Sequence, residues 1–158
     1  MRKIFASWRI ELIERKKEKG CFFCKYIAED DDEKNLILKR GNLSFVIMNA
    51  YPYSNGHLMV APNAHKGSLD QLTDEEMLEI FKLVRDSVNA LKKTISPDGF
   101  NIGVNLGSEV SGAGVPDHLH FHIVPRWKGD HNFMPVIADT RVIPEALDST
   151  YRKLKPNF

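Results

Sequence analysis

The chain is nearly without cysteine: Cys21 and Cys24 are the only two in 158 residues. A disulfide-stapled fold needs several pairs and is excluded. There is also no excess of charge, with 22 Lys and Arg against 21 Asp and Glu and a formal net charge of +1. A protein that coats nucleic acid is excluded on that ground, because such binding replaces many counterions with cationic groups. A local basic pocket for a small anion stays open. No apolar run approaches the roughly 20 residues that cross a bilayer. Near the start, Ile4, Phe5 and Trp8 are interleaved with Arg2, Lys3, Arg9 and Glu11, which is not the continuous apolar core of a secretion signal. The expectation is a cytoplasmic protein with neither nucleic-acid nor membrane partners.

What is present suits a globular protein: 42% hydrophobic and 27% charged residues, at a length typical of one domain. Residues 2–18 carry Ile4, Phe5, Trp8, Leu12 and Ile13 at helical spacing, with Gly20 as a stop. The acidic stretch Glu29 to Glu33 reads as a solvated loop. Leu36–Lys39 and Leu43–Met48 read as strands joined by Arg40-Gly41-Asn42. A turn-rich segment, Asn49 to Gly56, leads into a strand over His57–Ala61. Thr73 followed by Asp74, Glu75 and Glu76 is a capping-box start. The helix it opens runs to about Lys93 with a wide apolar stripe. Pro97-Asp98-Gly99 is a turn, Phe100–Leu106 a strand, Gly107 to Gly114 a loop, and His118–Val124 a strand ending at Pro125. A last helix is expected from Pro144 to Lys153. This order predicts an α+β fold, a mainly antiparallel sheet packed by one long helix, with an N-terminal helix. The expected organisation is a helical arm over 1–20 and a single domain over 21–158.

The strongest chemical signal is His118-Leu119-His120-Phe121-His122. A strand alternates faces with period two, so the three imidazoles share one side and Leu119, Phe121 and Ile123 the other. A row of groups that bond, accept protons or bind metal near neutral pH results. A metal site made by the row itself ranks below catalysis, since no local carboxylate completes a ligand set. Cys21-Phe22-Phe23-Cys24 has the spacing of two tetrahedral zinc ligands. Two apolar thiols packed under the sheet are the rival reading.

His118-Leu119-His120-Phe121-His122-Ile123-Val124 resembles the His-φ-His-φ-His-φ-φ motif, φ being apolar, of the histidine-triad (HIT) nucleotide hydrolases and transferases. The resemblance implies a HIT-like fold, and implies that His120 attacks an α-phosphorus to form a nucleotidyl-histidine. By the same resemblance His118 and His122 orient His120 and donate hydrogen bonds to the phosphate. Asn49 to His57 looks like the family's Asn-x-x-Pro-x-x-x-Gly-His stretch, which implies that Asn49 contacts the nucleoside and His57 buttresses the triad. Asn105 and the loop with Ser108, Ser111, Gly112 and Gly114 are implied to cradle the phosphates. Family members often place Ser or Gln five or six residues before the central histidine. Val115 and Gly114 stand there, which leaves Ser108 or Ser111 as candidate leaving-group donors.

Pro125-Arg126-Trp127-Lys128-Gly129-Asp130, with His131-Asn132-Phe133, Ser7-Trp8-Arg9 and Val142-Ile143-Pro144, resembles the diadenosine tetraphosphate branch. Arg126 and Lys128 are implied to hold distal phosphates. Zinc-containing relatives imply a metal set of Cys21, Cys24, His65 and His118, a role for His118 that competes with phosphate binding. The implied activity is cleavage of a dinucleoside polyphosphate such as diadenosine tetraphosphate, by phosphorylase or hydrolase chemistry. Its substrate is an adenosine polyphosphate and its acceptor inorganic phosphate or water. No cofactor is required for the chemistry, a structural zinc is implied, and so is a homodimer. The rivals are a nucleoside phosphoramidase or adenylyl hydrolase, and a non-catalytic adenine-nucleotide-binding protein.

Overall fold

The computed structural model of the chain describes residues 20–107, 111, 114–130 and 143–158. The helix expected over 2–18, Ser108, Gly112 and His131-Asn132-Phe133 lie outside the described residues. Five antiparallel strands form one sheet: β1 (Ile37–Arg40), β2 (Ser44–Met48), β3 (Leu58–Pro62), β4 (Gly99–Val104) and β5 (Phe121–Arg126), in the order β1-β2-β3-β5-β4. The helices are α1 (Phe22–Ala28), α2 (Asp74–Ile95) and α3 (Leu147–Leu154). The α+β class and the long packing helix are as the sequence predicts.

Both faces of the central strands are buried, so β2 shows no polar side at all. Val46, Met48, Leu58, Val60, Leu119, Phe121 and Ile123 pack with Ile80, Leu83, Val84 and Leu91 of α2. Phe45, Ile47, Met59 and Ala61 pack on the opposite face with Phe23 of α1. The histidine side of the sheet is therefore covered as well, by a helix the sequence reading did not find. Seven residues, with Cys24 inside and Cys21 at the N-cap, give no periodic signal of their own. Instead α1 is held by β1: Arg40 donates to the carbonyls of Ile27 (2.7 Å) and Glu29 (2.6 Å) and to Asp32 (2.8 Å). That guanidinium satisfies carbonyls which a helix end leaves open.

Asp32 and Glu29 correct the expectation of a solvated acidic loop. Asp32 takes Arg40 and Lys155, and Glu29 accepts from Asn35 at 2.8 Å. The partners of Asp32 come from β1 and the C-terminus, which a local reading cannot see.

Thr73 and Glu76 form the expected capping box, and Glu76 also receives Lys66 Nζ at 2.7 Å. On the next turn Glu79 accepts from the amides of Leu43 and Ser44 and the Ser44 hydroxyl, docking the β1–β2 hairpin on α2. Strand bounds shift by a residue or so, and two differences are larger. The pairing of β5 begins at Phe121, not His118, and passes through Pro125 to Arg126. Pro125 is tolerated there because β3 pairs only with 121–123. The last helix starts at Leu147 rather than Pro144, with Ala146 extended at its N-cap, and the Glu145 side chain accepts the hydroxyls of Ser149 and Thr150. No described helix is long and apolar enough to cross a membrane.

Candidate active site and metal centre

The register of β5 sets the site. His122 pairs with Met59 of β3 and Gly103 of β4. His118 and His120 precede the paired residues, in a segment held by Leu119 N–H donating to Lys66 O at 2.7 Å. The rings lie on the α1 side. Phe23 packs on His118 and His120, with centroids 5.1 and 5.2 Å apart, and His120 lies 4.8 Å from His122. Leu119, Phe121 and Ile123 enter the α2 side of the core. The alternation read from the sequence thus survives, although only His122 of the triad lies in the ladder.

Hydrogen bonds fix the tautomers. The nearest acceptor of His120 Nδ1 is the His118 carbonyl at 2.9 Å. A carbonyl cannot donate, so Nδ1 carries the proton and Nε2 keeps its lone pair. Tyr53 N–H donates to His57 Nδ1 at 3.1 Å, and His57 Nε2 faces His122 Nδ1 at 2.9 Å. The proton of His57 is therefore on Nε2, and it donates to His122 Nδ1. The proton of His122 then sits on its own Nε2, which is buried and has no protein partner among the described residues. An imidazole nitrogen with a free lone pair and a buried N–H donor thus stand on adjacent rings.

Burial lowers the pKa of His118 and His120. Burial, with His120 alongside, lowers that of His122 to about 4, from an ordinary 6.5. Folding favours the neutral form of His122. The stability it contributes is complete above about pH 6.5 and drains as pH falls toward about 4, because the unfolded chain takes the proton first. We expect the melting temperature to fall across that window and the fall to shrink in His122→Asn; identical pH profiles for the two proteins count against this.

His118 is used differently. Its Nε2–H donates to Pro62 O at 2.8 Å, which leaves the Nδ1 lone pair facing Cys21 Sγ at 3.2 Å and Cys24 Sγ at 3.6 Å. Cys24 Sγ also lies 3.4 Å from His65 Nδ1. The donor atoms of Cys21, Cys24, His65 and His118 all fall within 4.8 Å of one another. Two thiols and two imidazoles suit tetrahedral zinc, and a ligating imidazole whose other nitrogen is tied to a carbonyl is the usual arrangement. The residues fit a metal ion.

The other expected residues are placed less directly. Asn49 turns inward: Oδ1 accepts Tyr51 N–H at 2.8 Å and Nδ2 lies 3.3 Å from His57 Nδ1. Asn105 follows the end of β4. Ser111 donates to Gly107 O at 3.2 Å. Gly114 is exposed with open space around it. The guanidinium of Arg126 is engaged by Asp130 through Nε and Nη2 and by Asn101 through Nη1. Lys128 is exposed, its amide donating to Asp98. Sequence reasoning missed Phe23, which covers two of the rings, and Tyr53, whose amide sets the His57 tautomer. Tyr53 gave no signal; Phe23 stood between the cysteines.

A buried row of three histidines on one face, with a fourth histidine bonded to its last ring, defines a class. The chain belongs to the HIT domain family, whose model matches residues 31–129. It is 41% identical over 128 residues to the AP-4-A phosphorylase of Mycobacterium tuberculosis, covering 81% of this chain and 65% of that one. The chain thus spans about two thirds of that relative's length. An uncharacterised HIT-like protein of Methanocaldococcus jannaschii is 38% identical over 110 residues, covering 70% of this chain and 81% of its own. Among solved structures, a HIT-family member from Bacillus subtilis matches with a TM-score of 0.63 and 27% identity, covering 83% of this chain and 86% of that one. A zinc-bound histidine triad family protein from Mycobacterium smegmatis shares the fold with a TM-score of 0.70 and 23% identity, covering 87% and 92%.

Proposed function

We propose that this protein cleaves dinucleoside polyphosphates by transferring a nucleotidyl group through His120, with inorganic phosphate as the acceptor. The observation that carries the reading is the Nδ1–H of His120 bound to the His118 carbonyl, which leaves Nε2 unprotonated with its lone pair available. Nε2 attacks the α-phosphorus and forms a P–N bond as the P–O bond to the polyphosphate breaks. The leaving oxygen is met by the Nε2–H of His122, the donor that lacks a protein partner. Phosphate oxygen then attacks the same phosphorus, the P–N bond breaks, and His120 is restored. The similarity to the phosphorylase supports the choice of acceptor.

We assign His118 to the metal rather than to phosphate, because both its ring nitrogens are engaged; only its carbonyl serves His120. Zinc held by Cys21, Cys24, His65 and His118 would cross-link the start of α1 to the triad segment and take no part in the reaction. With diadenosine tetraphosphate, the expected products are ADP and ATP, formed only when phosphate is present. AMP and ATP without phosphate would mean a hydrolase, and no turnover under either condition ends the reading.

The homodimer implied by the family would use the free edge of β4, where Ile102 and nearby Leu106 are exposed. Light scattering is expected to give twice the chain mass and to fall to one chain mass in Ile102→Asp; a monomeric parent rejects this.

A further inference from the structure

Three consecutive residues at the end of the 49–57 loop are each tied to a different element. His57 meets His122 of β5. Gly56, at φ +70°, lies so close to α2 that a Cβ would come within 2.7 Å of Ile95 Cδ1 and 3.0 Å of Leu91 Cδ2. Asn55 reaches the C-terminal segment: its Oδ1 faces the Thr150 hydroxyl at 3.1 Å. Thr150 is 1% exposed, and its hydroxyl also faces Glu145 Oε2 at 2.9 Å. Lys153, Ser149 and the Asn55 amide donate to Glu145, the single Thr150 hydroxyl proton lies between Glu145 and Asn55 Oδ1, and together they hold the carboxyl at about 2, so it is ionised at neutral pH. The site described above makes no use of this network.

We infer that Asn55, Thr150 and Glu145 form a latch through which the C-terminal helix positions His57 and, behind it, the His122 donor. The link is the tautomer. His57 keeps its proton on Nε2 because the Tyr53 amide points at Nδ1, and that amide belongs to the latched loop. If the loop shifts, the Tyr53 amide leaves Nδ1, only the longer 3.3 Å approach of Asn49 Nδ2 remains, and Nδ1 can carry the proton. His57 Nε2 then becomes an acceptor, His122 Nδ1 becomes the donor, and His122 Nε2 loses its proton. A change at α3 would thus turn the group facing the leaving oxygen from donor to acceptor. Asn55, Thr150 and Glu145 are positioning residues, acting through His57.

The kinetic arm of the test rests on the proposed function; the spectroscopic arm does not. In full-length protein with 15N-labelled histidine, long-range NMR spectra read the protonated nitrogen of each ring. The parent is expected to show Nε2–H at His57 and His122. Thr150→Val and Asn55→Asp, the latter also setting a carboxylate against Glu145, are expected to show mixed tautomers. Turnover of diadenosine tetraphosphate should fall about tenfold, with KM changed less than about threefold. A nitrophenyl ester of AMP, whose leaving group needs no proton, should lose less than about twofold. Tyr151→Phe is the control. It removes the hydrogen bond from Tyr151 to Ile37 O, 3.0 Å, and leaves the Asn55, Thr150 and Glu145 side chains in place, so it should lower the melting temperature and leave tautomers and rates alone. Tautomers unchanged in both latch variants, or mixed equally in Tyr151→Phe, overturn the latch. A parent inactive on every nucleotide overturns only the proposed function, since the spectra still decide.

Discussion

Replacing His120 with alanine lowers turnover of diadenosine tetraphosphate by at least about three orders of magnitude. The loss is large because the ring does two things no neighbour can. In the proposed mechanism its Nε2 is the atom that bonds phosphorus, and its Nδ1–H, held by the His118 carbonyl at 2.9 Å, fixes where that atom points. Neither His118, with both nitrogens engaged, nor His122, whose Nδ1 takes the His57 proton and whose Nε2 bears its own, can offer a lone pair in its place. Nucleotide affinity should change only a few fold. Mass spectrometry of protein quenched during turnover is expected to show one nucleotidyl group on the parent and none on the variant. Turnover by the variant within tenfold of the parent would remove His120 from the mechanism.

The second large effect falls on stability. Cys21→Ser breaks a four-donor set. A structural zinc site contributes folding free energy directly. We expect loss of bound zinc and about 3 kcal/mol of stability, a fall in melting temperature of about 6–12 °C. Chemistry per folded molecule should be much less affected, because Cys21 touches no reacting atom. Metal analysis of the purified parent is the direct check: protein lacking zinc, with Cys21→Ser melting at the same temperature, rejects the site.

The sequence disclosed these two sites to different degrees. The triad was legible because period-two spacing survives even where the ladder does not, so His118 and His120 share a face with His122 although pairing starts at Phe121. The α2 helix was legible from Thr73 and Glu76, whose reciprocal bonds are local. What could not be read depends on distant partners. The α1 helix needs Arg40 from β1 at its end. The inward turn of Asn49 needs His57. Arg126 is spacing-compatible with phosphate, but Asn101 of β4 reaches it across the sheet and Asp130 from the following turn. The start of α3 at Leu147 falls three residues past Pro144, and Glu145 there engages the Ser149 and Thr150 hydroxyls rather than a helix amide.

The hold of Arg40 on the end of α1 also joins two events that would otherwise be separate. Both thiols precede or lie within that helix, and so does Phe23, the ring against His118 and His120. Peeling α1 from the sheet would carry off two of the four proposed zinc donors and uncover the His120 ring in one step. Deuterium uptake at the amides of Lys25 and Glu29, which close the helix onto Cys21 O and Lys25 O, would then keep pace with escape of the metal, one clock for both.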